Sequence, residues 1–235
     1  MRRSRLIYIV FFLLPVLIIA QIDEFQQEFT KVSQQYFSQR IIKVTQHFLF
    51  SLGSADAVPF DSGYCYIEKN GSMMHYQFNG VESFSDGKYL VRISNPSKYM
   101  VVSRIIHADS SAPALIFSKG FSSFKNVEKK KSVVDFSQWK LTGGTLGVLT
   151  ADITFDSREN RIRNIIAELS PDHPFVSQIS QNSSGKRSEV FIRIDYAYSK
   201  EISKEQPQLS DFINVKNDLI TPAEKFKDYQ IKFIK

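Results

Sequence analysis

"SFSDGKYLVRISNPSKYMVVSR", Ser83 to Arg104, holds two runs of β-branched and aromatic residues separated by a short polar turn. Asp86-Gly87 is a turn signal ahead of the first run, and Asn95-Pro96 supplies the opening positions of a type I-like turn between the two. If Ser94 stands opposite Tyr99, then Ile93 meets Met100 and Val91 meets Val102. Tyr89, Val91, Ile93, Met100 and Val102 then share one side, while Arg92, Ser94 and Ser103 point the other way. One side is wholly apolar or aromatic and the other is solvated, which is an antiparallel hairpin laid on something apolar.

The same period of two extends outward in both directions. "GYCYIEK" and "MMHYQF" flank an Asn70-Gly71 turn signal, and "IIKVTQHFLFSL" places Ile42, Val44, Phe48, Phe50 and Leu52 on one parity with Gln46 the polar exception. "LGVLTADITF" turns through "DSREN" and returns along "RIRNIIAEL"; "EVFIRIDYAY" and "DYQIKFIK" alternate in the same way. Between Ser103 and this resumption the pattern is mixed, and the Lys129 to Lys131 run reads as a solvated loop. Ahead of the strands, Ile22, Phe25, Phe29, Val32 and Tyr36 recur at helical spacing with polar residues between them. A second short helix is expected near Ser210. About nine to eleven strands after one amphipathic helix give a mainly β fold. The expected class is an incomplete antiparallel β-barrel, a curved sheet with the N-terminal helix and short helical lid elements over it.

"MRRSRLIYIVFFLLPVLIIA" sets three arginines before an apolar run from Leu6 to Ala20, the order of a secretory signal peptide. That run is broken by Pro15 and is shorter than the roughly 20 residues a bilayer span needs. Residues 1–20 are therefore read as a cleaved leader and 21–235 as a single domain. Without Arg2, Arg3 and Arg5, 27 of the 30 Lys+Arg remain against 24 Asp+Glu, so the net charge of +6 drops to about +3. The basicity lies mostly in the leader, and a nucleic-acid partner loses its support. The single Cys65 cannot form an internal disulfide and reads as a small buried hydrophobe; a monomer is expected. The sequons at Asn70 and Asn182 matter only in a eukaryotic secretory route.

Chemistry-bearing motifs are sparse. His47, His75, His107 and His173 are scattered, without HExxH, CxxC or an acidic calcium loop, so no metal and no cofactor is expected. "TGGTLG", Thr142 to Gly147, lacks the GK[ST] ending of a phosphate loop and leads into a strand, so its glycines read as a bulge or tight turn. No GxSxG elbow occurs, and no carboxylate pair stands out. The chain reads as a non-enzyme, with a hydrolase the least favoured alternative. What is abundant is 20 Phe and 10 Tyr. These rings either fill a core or line a pocket for an apolar ligand, and composition does not separate the two.

The order of leader, amphipathic helix and strands through "GYCYIEKNGSMMHYQFNGVESFSDGKYLVRISNPSKYMVVS" resembles the periplasmic outer-membrane lipoprotein carriers, the LolA-like proteins. The match lies in Ser85-Asp86-Gly87-Lys88, the strand Tyr89 to Ile93, the turn Asn95 to Lys98, and the later "ADITFDSRENRIRNI", and it spans Ile22 to about Tyr198. The resemblance implies a half-barrel with a helical lid, located in the periplasm, whose apolar cavity takes lipoprotein acyl chains or other lipid. It implies an inner-membrane release complex and an outer-membrane acceptor as partners. On this reading the lid is Phe25, Phe29 and Val32. The cavity is Phe48, Phe50, Tyr76, Phe78 and Tyr89, joined by Val91 and Ile93 on the same side of the hairpin as Tyr89. The rival is a non-catalytic interaction or assembly module of the same fold with a filled interior and a protein partner.

Overall fold

Short side chains set the turns from which the strands run. The Asp86 carboxylate accepts hydrogen bonds from the backbone N–H groups of Lys88 (2.8 Å) and Tyr89 (2.7 Å), folding the chain back at Gly87, whose φ is +89°. Asp156 does the same for Arg158 and Glu159, both at 3.1 Å, before Asn160 takes a φ of +47°.

The structure, a computed structural model, describes residues 21–35, 38–39, 41–78, 80–105, 124–144, 147–173, 176, 189–199, 207–216 and 219–234. Residues 1–20, expected to be a leader, lie outside them, as do Tyr36, His107 and the Asn182 sequon. One helix, α1 (residues 21–35), precedes β1 (Ile41–Leu52), β2 (Asp61–Asn70), β3 (Met73–Phe78), β4 (Val81–Ser85), β5 (Tyr89–Ser94) and β6 (Tyr99–Arg104). Then follow β7 (Asn126–Val133), β8 (Phe136–Thr142), β9 (Val148–Asp156), β10 (Arg161–Leu169) and β11 (Val190–Ser199). The C-terminal stretch holds β12 (Ile213–Lys216), β13 (Leu219–Pro222) and β14 (Gln230–Ile234), with single 3-10 turns at Leu209–Asp211 and Glu224–Phe226.

A 12-stranded sheet runs in the order β14-β6-β5-β4-β3-β2-β1-β11-β10-β9-β8-β7 and does not return on itself, while β12 and β13 form a separate hairpin. This is the unclosed, mainly β class expected from the sequence, with its N-terminal helix. Two details differ from expectation. β14 runs parallel to β6, with Ile231 beside Met100, whereas the neighbouring pairs are antiparallel. The Lys129–Lys131 run lies on β7 rather than in a loop, because its partner β8 fixes it in a ladder that shifts register between Lys129 and Lys131.

The described residues form two compact units, each drawn from separated stretches: one from those within 21–38, 49–62 and 124–195, the other from those within 39–48, 63–105 and 196–234. In the first, α1 accompanies β7 to β10 and the Val190 to Asp195 part of β11, with Trp139, Leu141, Ile153 and Phe155 fully buried. In the second, Phe84, Val91, Ile93, Met100 and Val102 are buried with Phe212, Ile213 and Phe226 from the C-terminal stretch. Ser94 stands opposite Tyr99, Ile93 opposite Met100 and Val91 opposite Val102, the register read from the sequence.

Candidate functional site: two covered apolar faces

In the first unit, alternation on β8 and β9 builds the surface that α1 covers. Ser137, Trp139 and Leu141 point to one side of β8 and Ala151, Ile153 and Phe155 to the same side of β9, where Trp139 stands opposite Ile153. On β10, Ile165 and Ala167 continue this face opposite Ile153 and Ala151. Phe25 of α1 is 3% exposed and meets the Trp139 ring edge-on at 5.5 Å and the Phe155 ring at 6.0 Å. Phe29 stacks on Phe25 at 6.2 Å, and Val32 is buried one turn on. The residues expected as the lid thus form the seated side of α1.

The helix is also held by polar contacts. Glu28 lies one turn beyond Glu24, and its carboxylate accepts hydrogen bonds from the Trp139 indole N–H (2.7 Å) and the Ser137 hydroxyl. The Lys129 ammonium pairs with Glu24 and sits 5.1 Å from the centre of the Trp139 ring. Both donors from β8 are therefore satisfied only while α1 is seated.

In the second unit the covered face belongs to β4, β5 and β6. Phe212 stacks on Phe84 with ring centres 4.8 Å apart, Phe226 stacks on Phe212 at 6.3 Å, and Tyr229 meets Phe226 edge-on at 5.1 Å. The Tyr229 hydroxyl bonds Asn95 Oδ1 at 3.0 Å. Tyr89, Val91 and Ile93 all lie beneath this segment, at 4%, 0% and 1% exposure.

The remaining expected pocket residues lie elsewhere. Tyr76 pairs with Ser83, which pairs with Arg92, and Phe78 pairs with Val81, which pairs with Ser94. Tyr76 and Phe78 therefore occupy the sheet face opposite to Tyr89, Val91 and Ile93. Phe48 joins them, its ring 5.2 Å from that of Phe78. Phe50 packs near Phe60 in the first unit, at 6.4 Å. The set reads as one inward row in the sequence, but the register sorts it onto separate surfaces.

Cys65 stands opposite Phe78 and diagonal to Tyr76, on that same face. Burial pushes the Cys65 thiol up to about 11, a side-chain hydrogen bond with Tyr76 working the other way. Burial also pushes the Tyr76 phenol up to about 12, with the neighbouring Cys65 adding to it. Both groups are neutral near pH 7, so this pair is a packed contact rather than a nucleophile.

His75 bonds Glu82 at 2.8 Å, and His47 stacks on Tyr64 at 4.4 Å. Among the described residues no cluster of His, Cys, Asp and Glu could hold a metal ion, and no helix is long and apolar enough to cross a membrane. Two glycines of the Thr142–Gly147 stretch stand where a side chain would clash. A Cβ at Gly144 would stand 2.2 Å from the Val148 carbonyl oxygen, and one at Gly147 would stand 2.7 Å from the His173 ring.

Sequence reasoning passed over Trp139, Ser137 and Glu28. The signal was present in "FSQWKLT", where the sole tryptophan sits between polar neighbours on a period of two.

The site is a pair of apolar sheet faces, each covered by an amphipathic segment of the same chain. No protein-family model matches the chain, and no curated protein sequence matches it. Solved structures do. An uncharacterized conserved protein from Thermus thermophilus is 11% identical, covering 89% of this chain and 99% of its own, with a TM-score of 0.42. The lipoprotein LppX of Mycobacterium tuberculosis is 8% identical over 76% of this chain and 97% of its own, at 0.36. A LolA superfamily protein of Nitrosomonas europaea is 10% identical over 73% and 90%, at 0.29.

Proposed function

We propose that the protein is a non-catalytic carrier for acyl-chain cargo, with α1 as the lid over the face built on Trp139. The observation that carries this reading is the way α1 is seated: apolar contact through Phe25 and Val32, and polar contact through Glu24 and Glu28. Burying Phe25 and Val32 contributes about 1.5–3 kcal/mol each, and each buried methylene about 0.8 kcal/mol. Roughly four to eight methylenes entering the same face therefore match the apolar grip of the lid. Exchange between lid and chain is then close to balanced, as loading and release both require. On this reading the cargo is the acyl chains of lipoproteins, taken up in the periplasm from an inner-membrane release complex and passed to an outer-membrane acceptor.

The test is mass spectrometry of lipids extracted from the purified exported protein, with displacement of a dansyl-labelled fatty acid by unlabelled acyl chains. Stoichiometric lipid or saturable displacement is the expected result. A lipid-free protein that ignores the probe overturns the carrier reading. That outcome favours the second reading, a non-catalytic assembly module with a protein partner, for which the filling of the β5–β6 face by Phe212 and Phe226 speaks.

A further inference from the structure

β14 ends the 12-stranded sheet and is paired along one side only, to β6. The Gln230 N–H bonds the Lys98 carbonyl at 2.9 Å, so in this parallel ladder the main-chain groups of Gln230, Lys232 and Ile234 turn toward β6. The N–H and carbonyl groups of Ile231 and Phe233 turn outward, and among the described residues none meets them.

The two sides of this edge differ in kind. On one, the buried row of Val91 and Val102 runs on to Phe233, which is 49% exposed because no strand stands beyond it. On the other, Arg92, Val101 and Lys232 stand in line, both cations exposed. No acid shares that side of β3, β4, β5, β6 or β14. The one acid these strands carry, Glu82, pairs with Ile93 on the opposite side and bonds His75.

An arriving strand thus meets unsatisfied main-chain groups, an apolar row to complete and a cation to match. A second copy of the chain fits poorly. Antiparallel pairing of two β14 strands with Ile231 opposite Phe233 satisfies the outward groups of both copies, but it sets Lys232 against Lys232. The lysine shuts the edge to such pairing and leaves it open to a strand of opposite charge.

We propose that β14 is a docking edge for an extended segment of a partner protein, in which apolar and polar residues alternate and a carboxylate stands opposite Lys232. The segment adds one strand to the sheet, and this surface is independent of any cargo the protein carries.

The probe is a short capped peptide of alternating valine and threonine with a central glutamate, set against a control with lysine in that place. In the free protein, the Ile231 and Phe233 amides are expected to exchange fast between slower neighbours at Lys232 and Ile234. The glutamate peptide is expected to slow both fast amides by about tenfold or more, as a ladder hydrogen bond protects its N–H. It is expected to bind about tenfold more tightly than the lysine peptide, because facing unlike charges attract and like charges repel. Lys232→Glu, a change at an exposed side chain, should reverse that order; if this variant fails to fold, the two peptides on the wild type decide. Equal affinity for the two peptides, or unmoved exchange at Ile231 and Phe233, overturns the proposal. So does protection of these amides without peptide that grows with protein concentration, which makes a second copy the occupant.

Discussion

Cys65 and Tyr76 are diagonal neighbours on β2 and β3, and their mutual burial gives the protein an alkaline weakness. The native thiol keeps its proton to about pH 11, whereas in the unfolded chain it ionises near the ordinary 9.0. Between those values the native state binds the extra proton, so stability falls as pH rises. Tyr76 extends the fall toward pH 12 from its ordinary 10.0. The expected outcome is a denaturation midpoint that drops through this window, with a smaller drop for Cys65→Ala, measured by urea titration at stepped pH. The thiol is 0% exposed, so it should react with a disulfide reagent only after unfolding. The burial of Cys65 was legible, because a lone cysteine on an alternating strand has an apolar neighbourhood written beside it. Glu28 was not. A carboxylate on a helix reads as solvated unless its partners are known, and those partners are 109 and 111 residues away.

The elements were legible wherever period and turn chemistry agreed. The β5–β6 hairpin could be read to its register, because Asn95-Pro96 fixes the turn and a slip of one residue would bury Arg92. β7 was missed because three lysines hide its alternation, and the side-to-side sorting of Tyr76 against Tyr89 was missed because it depends on the register of intervening β4. The helix α1 was read from its stripe, but what holds it was not. Glu28→Ala leaves the Trp139 N–H and the Ser137 hydroxyl without the acceptor they share, at about 1–3 kcal/mol for each buried donor left unpaired. The expected result is a red shift of tryptophan emission, as water reaches the indole, and faster amide exchange along 21–35 with the sheet amides unchanged. An emission maximum identical to wild type would count against the carboxylate as the tether.

An unclosed sheet has two edges, and the whole molecule must keep both from recruiting other chains. β7 is one edge, and it carries the lysine run together with a register shift at Lys130 that interrupts a flat ladder. Deleting Lys130 straightens that edge and removes a charge. The variant is expected to fold, with unchanged circular dichroism, but to scatter light at concentrations where the wild type stays clear. β14, the other edge, is five residues of parallel pairing.

That last pairing also orders events in time. Strands β4 to β6 are complete soon after residue 104 has been synthesised, yet their apolar face has no cover until Phe212 and Phe226 exist. α1 likewise waits for Trp139 before Glu28 has anything to bind. The nascent chain therefore carries two greasy surfaces unroofed for about half of its synthesis, and its yield depends on whatever shields growing polypeptides in that interval.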